Sequence, residues 1–452
     1  MIRKLQELYR ASADERGKRI LRHILMGAGL KVVNSIVSIL IIPLYLSLLT
    51  EVSFGIWLTV TAVINWFNIF DLGLGNGLRN RFAEARAQGN EALAASYVST
   101  SYFCLAGVSL FLLLLFLLAD AFANWGSLFA APEHLHTQVN AMTRILMLLF
   151  LPQFVFQLVK VVLTADQRPA WGNAINSLIN VLQMAMVWLL ITVEADSLPV
   201  LAIAIGGVNL LVLLLSNLYF FLGKYRRYRP SYSRFALQHI RPLMELGIVF
   251  FVLQAAAVVV FMTDNLIISR VLGPEEVPAY NVAYRYFNFA AVFFGLVTTP
   301  FWSAFTDAFA KREMEWIASM VRRLLRLWVL LALLCILMLV FSNVVYRLWL
   351  GDALEIPFLL SAIMAAWVTM SMLLGIYGTV LSGMGVLRLS LYHAVLVMLI
   401  NIPLSVWLAG MPALGSAGVI LATLIGLMLR AFFQPLQCYK ILNGSARGIW
   451  SR

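Results

Sequence analysis

The chain has 452 residues, 62% of them hydrophobic and 12% charged, with a mean hydropathy of +0.88. A water-soluble globule of this composition would have too little polar surface to face solvent, so lipid is its solvent. The net charge of +12 reads as loop Lys and Arg that orient helices and touch anionic lipid, not as a nucleic-acid surface.

About 20 apolar residues cross the hydrocarbon as a helix. By that measure the sequence predicts six spans at 24–49, 54–78, 96–119, 140–164, 171–193 and 199–223. Six more are predicted at 243–268, 279–302, 320–341, 357–381, 389–409 and 415–439. Each run is continuously apolar and far longer than a barrel strand, so the expected fold is all-α, a polytopic membrane protein of twelve transmembrane helices. Residues 1–23 form a basic tail with no expected cleavable signal, because the apolar run behind it is long enough to remain as an anchor. Residues 224–242 link the two sets of spans, and 440–452 form a second tail.

Basic residues gather on one side of this arrangement. Seven lie in the N-terminal tail, six after the sixth span and three in the C-terminal tail, whereas Arg144, Arg270 and Arg347 alone fall on the other side. Both termini are therefore expected in the cytoplasm. Cys104, Cys335 and Cys438 occupy different spans without CxxC spacing or clustered His, so neither a disulfide framework nor a metal site is expected, and no cofactor.

The two sets of spans repeat one design. Phe82-Ala-Glu-Ala85 closes the second span and Phe305-Thr-Asp-Ala308 the eighth, while Glu51-Val52-Ser53 and Glu276-Val277-Pro278 precede them. Leu178-Ile179-Asn180-Val181 in the fifth span matches Leu399-Ile400-Asn401-Ile402 in the eleventh, each followed by a Trp, Trp188 or Trp407. Six spans per copy give both copies the same orientation, so the expectation is an N-lobe over 24–223 and a C-lobe over 243–439 around a central cavity.

Polar residues inside the spans recur at helical spacing. Lys31, Asn34 or Ser35, and Ser38 share a face of the first span, and Thr61, Asn65, Asn68, Asn76 and Arg79 share one of the second. Gln153, Gln157, Lys160 and Thr164 do so in the fourth, and Asn281, Arg285, Asn288 and Thr299 in the eighth. A cation near the bilayer centre costs about 2.5–3.5 kcal/mol on insertion scales, so Lys31, Lys160, Arg285 and Arg430 should face protein, water or a partner. Lys31 and Asp71 both lie about 10 Å inside the same boundary and are within reach of pairing, and Asp264 and Arg285 have comparable depths. Two readings stand, fixed ion pairs that staple helices or groups lining a cavity. Snorkelling to the headgroups competes for Lys160. Arg430, with Gln434 one turn on, reaches either a cleft or a lipid phosphate. Glu245 follows Arg241 by four residues and reads as an interfacial pair.

Gly73, Gly75 and Gly77 do not have the spacing of a phosphate loop and follow a membrane helix, so close packing or a hinge is expected of them. No Ser/His/Asp, Cys/His or metal-ligand constellation is present, and the longest outer loop, 120–139, is too short for a domain; an enzyme is not expected.

Phe54-Gly55-Ile56-Trp57, Asp71-Leu-Gly-Leu-Gly-Asn-Gly-Leu-Arg-Asn80 and Phe82-Ala-Glu-Ala-Arg-Ala-Gln-Gly-Asn90 resemble the bacterial oligosaccharide and polysaccharide flippases, with a weaker likeness around Pro300-Phe-Trp-Ser-Ala304. These flippases belong to the multidrug/oligosaccharidyl-lipid/polysaccharide exporter superfamily. The resemblance implies movement of an undecaprenyl-pyrophosphate-linked oligosaccharide across the bacterial inner membrane by alternating access, for O-antigen, capsule or exopolysaccharide (lipopolysaccharide and related) synthesis. It also implies a cationic cavity, coupling to a proton or sodium gradient, and a polysaccharide polymerase as a partner. On that reading Lys31, Lys160, Arg285 and Arg430 attract the anion, Asn34, Asn65, Asn68 and Asn288 contact glycan, and Asp71 and Asp264 couple the ion. The alternatives are a cation-coupled multidrug exporter of the same superfamily and a non-transport enzyme or scaffold of glycan assembly.

Overall fold

The computed structural model describes residues 15–71, 73–166, 168–244, 263–298, 301–386 and 388–451. Glu245 and most of the seventh predicted span lie outside the described residues. All regular structure in the described residues is helical. Ten helices among them are long and apolar enough to cross a membrane. Their outward faces agree with a lipid solvent: Leu110, Leu114 and Leu118 are more than half exposed at helical spacing, as are Leu330, Leu333 and Leu337.

The chain divides into two compact units. The first comprises Met1–Leu48, Ile64–Leu128 and Pro132–Gln254, and the second Leu49–Val63, Phe129–Ala131 and Ala255–Arg452.

Helices α1 (Glu15–Leu48), α2 (Glu51–Trp66), α3 (Leu74–Ala87), α4 (Glu91–Asp120), α5 (His136–Phe156), α6 (Leu158–Ala165), α7 (Pro169–Thr192) and α8 (Leu198–Leu222) come first along the chain. Helix α2 starts among residues of the second unit, and its last turn, from Ile64, belongs to the first. Within the first unit α1 lies along α7, α5 along α8, and α3 along α4. Local signals set the ends. Asn90 accepts the Leu93 N–H and so caps α4, and Pro169 opens α7 where a missing N–H costs nothing.

The predicted second span is not one continuous helix. After α2 the chain tightens into a 3₁₀ turn, Phe67–Asp71, and restarts as α3. Gly73 takes φ 76°, which L side chains resist, and both carboxylate oxygens of Asp71 accept the Gly75 N–H, at 3.0 and 3.1 Å. A Cβ on Gly77 would sit 1.9 Å from the Leu243 carbonyl oxygen, so that glycine lets backbone meet backbone. The glycines thus serve a turn and a close approach. The predicted fourth span also divides, at Gln157, where the Lys160 N–H bonds the Gln157 carbonyl three residues back and tightens the turn between α5 and α6.

The second unit contains α9 (Asp264–Val271), α10 (Glu276–Thr298), α11 (Phe301–Ala310), α12 (Met314–Val340), α13 (Ser342–Leu350), α14 (Phe358–Gly383), α15 (Arg388–Ala409) and α16 (Ser416–Leu442). Helix α16 is central to it, packed by α14 and α15. Gly55, at the start of α2, lies so near Pro274 that an added Cβ would come within 1.6 Å of its carbonyl oxygen.

Candidate functional site

Six segments of the first unit surround a cavity of about 550 Å³. Helix α1 contributes Asn34, α2 and the turn after it Asn65 and Asn68, and α5 Phe150, Gln153 and Phe154. Gln157 and Lys160 line it from the tightened turn and α6, Asn176, Ile179, Asn180 and Gln183 from α7, and Asn209 and Leu213 from α8. The spacing explains the convergence: Gln153, Gln157 and Lys160, and likewise Asn176, Asn180 and Gln183, fall on one helical face each.

Side-chain amides bond across the helices. Asn180 donates to Asn34 Oδ1 at 3.3 Å, Gln157 to Asn68 Oδ1 at 3.3 Å and Asn209 to Gln153 Oε1 at 2.7 Å. Gln153 donates to the Gly206 carbonyl at 2.9 Å, and Gln183 to the Ile205 carbonyl at 3.3 Å. Such bonds hold helices together where lipid offers no partners. An amide carries two donor hydrogens and a two-lone-pair oxygen, so each keeps capacity to bond something in the cavity.

Lys160 Nζ donates to Asn176 Oδ1 at 3.2 Å, which leaves two of its three donors for a ligand. Among the described residues, no carboxylate lines the cavity. Phe150 and Phe154 stack at 5.6 Å on one wall as an apolar patch among the amides, and Phe67 packs tilted on Phe150 at 6.4 Å. The arrangement suits a ligand rich in hydroxyls and neutral or negative in charge, and disfavours a cation.

Of the residues singled out in the sequence, the cavity gathers Asn34, Asn65, Asn68, Gln153, Gln157 and Lys160. Lys31 is exposed on α1, and no ion pair joins it to Asp71 among the described residues. Asp71 is engaged instead in capping α3. Arg285, Asn288, Asp264 and Arg430 belong to the second unit. Arg285 and Asn288 are half-buried on α10. Asp264 is buried and accepts from the Tyr280 hydroxyl through Oδ2, while its Oδ1 has no hydrogen-bond partner among the described residues. Arg430 places its guanidinium against Gly378 of α14, with its Nε buried and without a hydrogen-bond partner there. Asn176, Asn180, Gln183 and Asn209 are the polar cavity residues that sequence reasoning did not assign. The i, i+4, i+7 spacing of the first three was the available signal.

The comparisons agree with this architecture. Residues 20–305 match the polysaccharide biosynthesis protein family, and residues 250–407 match the MatE family. The chain belongs to the polysaccharide biosynthesis protein family. It is 21% identical over 304 residues to a Salmonella typhi protein named for O-antigen transport, covering 66% of this chain and 68% of that one. An inward-facing multidrug resistance MATE family transporter of the MOP superfamily superposes with a TM-score of 0.78 at 13% identity, over 93% of this chain and 98% of that one. An outward-facing MATE transporter gives 0.65 at 15% identity, over 94% and 96%. The fold is thus that of the MATE transporters, which are twelve-helix, two-lobe proteins, and the chain is a multi-pass membrane transporter of the multidrug/oligosaccharidyl-lipid/polysaccharide superfamily.

Proposed function

We propose that this transporter is a flippase that carries an undecaprenyl-pyrophosphate-linked oligosaccharide across the bacterial inner membrane by alternating access, for O-antigen, capsule or exopolysaccharide synthesis. The observation that carries the reading is the cavity itself, lined among the described residues by nine amides and one lysine and by no carboxylate. Amide donors and acceptors match the paired donor and acceptor character of sugar hydroxyls, and a lysine attracts an acidic or phosphorylated group. Asn34, Asn65, Asn68, Asn176 and Asn180 contact glycan on this reading, and Lys160 supplies the positive charge. The family match and the Salmonella typhi relative support the same substrate class. The expected setting is the inner membrane with both termini in the cytoplasm, alongside a polysaccharide polymerase.

Deletion of the gene in its native host tests this. Finished lipid-linked oligosaccharide is expected to accumulate on the cytoplasmic leaflet. Accumulation of unfinished units would instead indicate an enzyme of assembly.

A second reading, cation-coupled multidrug export, draws on the MatE match over 250–407 and on the buried Asp264, one oxygen of which has no hydrogen-bond partner among the described residues. Increased resistance of drug-sensitive cells expressing the chain, abolished in Asp264→Asn, would favour export. Under the flippase reading Asp264 carries the coupling proton or sodium ion. Asp264→Asn is then expected to retain glycan binding and lose the response of transport to an imposed ion gradient.

A further inference from the structure

Asp166, the residue after α6, is the meeting point of three cations. Arg86, near the end of α3, pairs with its Oδ1, and the Tyr225 hydroxyl donates to its Oδ2. Arg168 Nε lies 3.3 Å and Lys224 Nζ 3.6 Å from the same Oδ2. The carboxylate is enclosed, with its side chain 11% exposed, whereas the Arg86, Arg168 and Lys224 side chains are 37%, 31% and 48% exposed. Rings steady two of the cations, since Arg86 lies over Phe82 and Tyr228, and Lys224 over Tyr225. A second carboxylate, Glu91, accepts from the Tyr228 hydroxyl and adds its negative charge beside Arg86.

Three cations gather beside the Asp166 and Glu91 carboxylates and each stays partly exposed, so a further anion can add charge-assisted bonds to their outer ends. The depth of the cluster says where that anion resides. Asp166 directly follows the span ending at Ala165, Arg168 directly precedes the span starting at Pro169, and Lys224 stands two residues beyond the span ending at Leu222. These are headgroup positions. Trp171 and Tyr219, 40% and 69% exposed, lie within a turn of the same span ends, where amphipathic rings mark the interface. At the other end of α4, Arg144 and Asp120 form a one-to-one pair at 2.9 Å among the described residues.

We propose that Arg86, Arg168 and Lys224 form a lipid-phosphate site at the membrane interface, with Asp166 and Tyr225 as the positioning pair that holds the three cations together. Guanidinium and ammonium groups recognise phosphate oxygens by charge-assisted hydrogen bonds. Phosphate at this depth comes from a glycerophospholipid headgroup or from the diphosphate of an isoprenoid lipid, and the site does not depend on what the amide cavity carries.

The test is native mass spectrometry of the full chain titrated with phosphatidylglycerol, phosphatidylethanolamine and undecaprenyl diphosphate. The double variant Arg168→Gln/Lys224→Gln, which keeps the Arg86–Asp166 pair, is expected to bind phosphatidylglycerol at least about tenfold more weakly than the wild type, with Arg144→Gln unchanged. Lys224→Gln alone, the mildest change, is expected to lose about fivefold. Both outcomes together carry the proposal. Tighter binding of the isoprenoid diphosphate than of phosphatidylglycerol, lost in the same variants, assigns the site to isoprenoid lipid, and equal affinity assigns it to bulk headgroups. Unchanged affinity for both anionic lipids in both variants, or an equal loss in Arg144→Gln, overturns it.

Discussion

Asn180 and Asn401 stand in the same Leu-Ile-Asn motif in corresponding helices, yet their surroundings differ. In the first unit Asn180 lines an open polar cavity and bonds to Asn34. In the second, Asn401 is 2% exposed, donates to Thr423 Oγ1 at 3.1 Å, and leaves its Oδ1 without a hydrogen-bond partner among the described residues. One copy of a repeated polar position opens to a ligand, and the other is packed into a helix interface between α15 and α16. Ser405, a turn beyond Asn401, is likewise buried with an unpartnered hydroxyl. The motif places the same amide twice, and the partner helix decides its use: α1 offers Asn34 beside a space, whereas α16 offers Thr423 in close packing.

The comparison can be broken first at the backbone, where each unit has a glycine with no room for a methyl group. Gly77→Ala in the first and Gly55→Ala in the second are each expected to lower stability by about 1–3 kcal/mol or more, because the opposing atoms are the carbonyls of Leu243 and Pro274 and not flexible side-chain ends. Thermal unfolding in detergent reads this, and an unchanged midpoint would show that the backbones separate easily. Next in size is Asn401→Ala, expected to cost about 1 kcal/mol and to leave transport per folded molecule unchanged. A transport defect with full stability would make the second unit a binding site as well. The smallest effect is expected of Asp71→Asn, which keeps an oxygen to cap α3 and should shift stability by less than about 0.5 kcal/mol. Reconstituted vesicles with an imposed pH gradient sharpen that result: an intact response confines Asp71 to capping, and a lost one gives it the ion-coupling role expected from the sequence.

Much of this was legible in the chain. Apolar run length fixed helices and class, because no other element satisfies its backbone in lipid. Asn34, Asn65, Asn68 and Lys160 were readable because polar groups at helical spacing within apolar runs must face away from lipid. Asn209 was not, since it stands by itself in an apolar stretch and makes no stripe. The break at Asp71–Gly73 was hidden because hydropathy continues across it, and only the three-dimensional position of the Asp71 carboxylate shows a cap. The closed state of Asn401 was hidden for a related reason, as its motif is the same as that of Asn180 and the difference lies in which helix each one faces.

Translocation of lipid-linked oligosaccharide in reconstituted vesicles, measured for Lys160→Ala and Asn180→Ala beside Asn401→Ala, tests the central claim most directly. Lys160→Ala is expected to reduce the rate at least about tenfold, as removal of a charged partner does, and Asn180→Ala several-fold, with both proteins folded at wild-type levels. Wild-type rates in Lys160→Ala and Asn180→Ala, or a loss found only in Asn401→Ala, would contradict the assignment of transport to the amide cavity of the first unit.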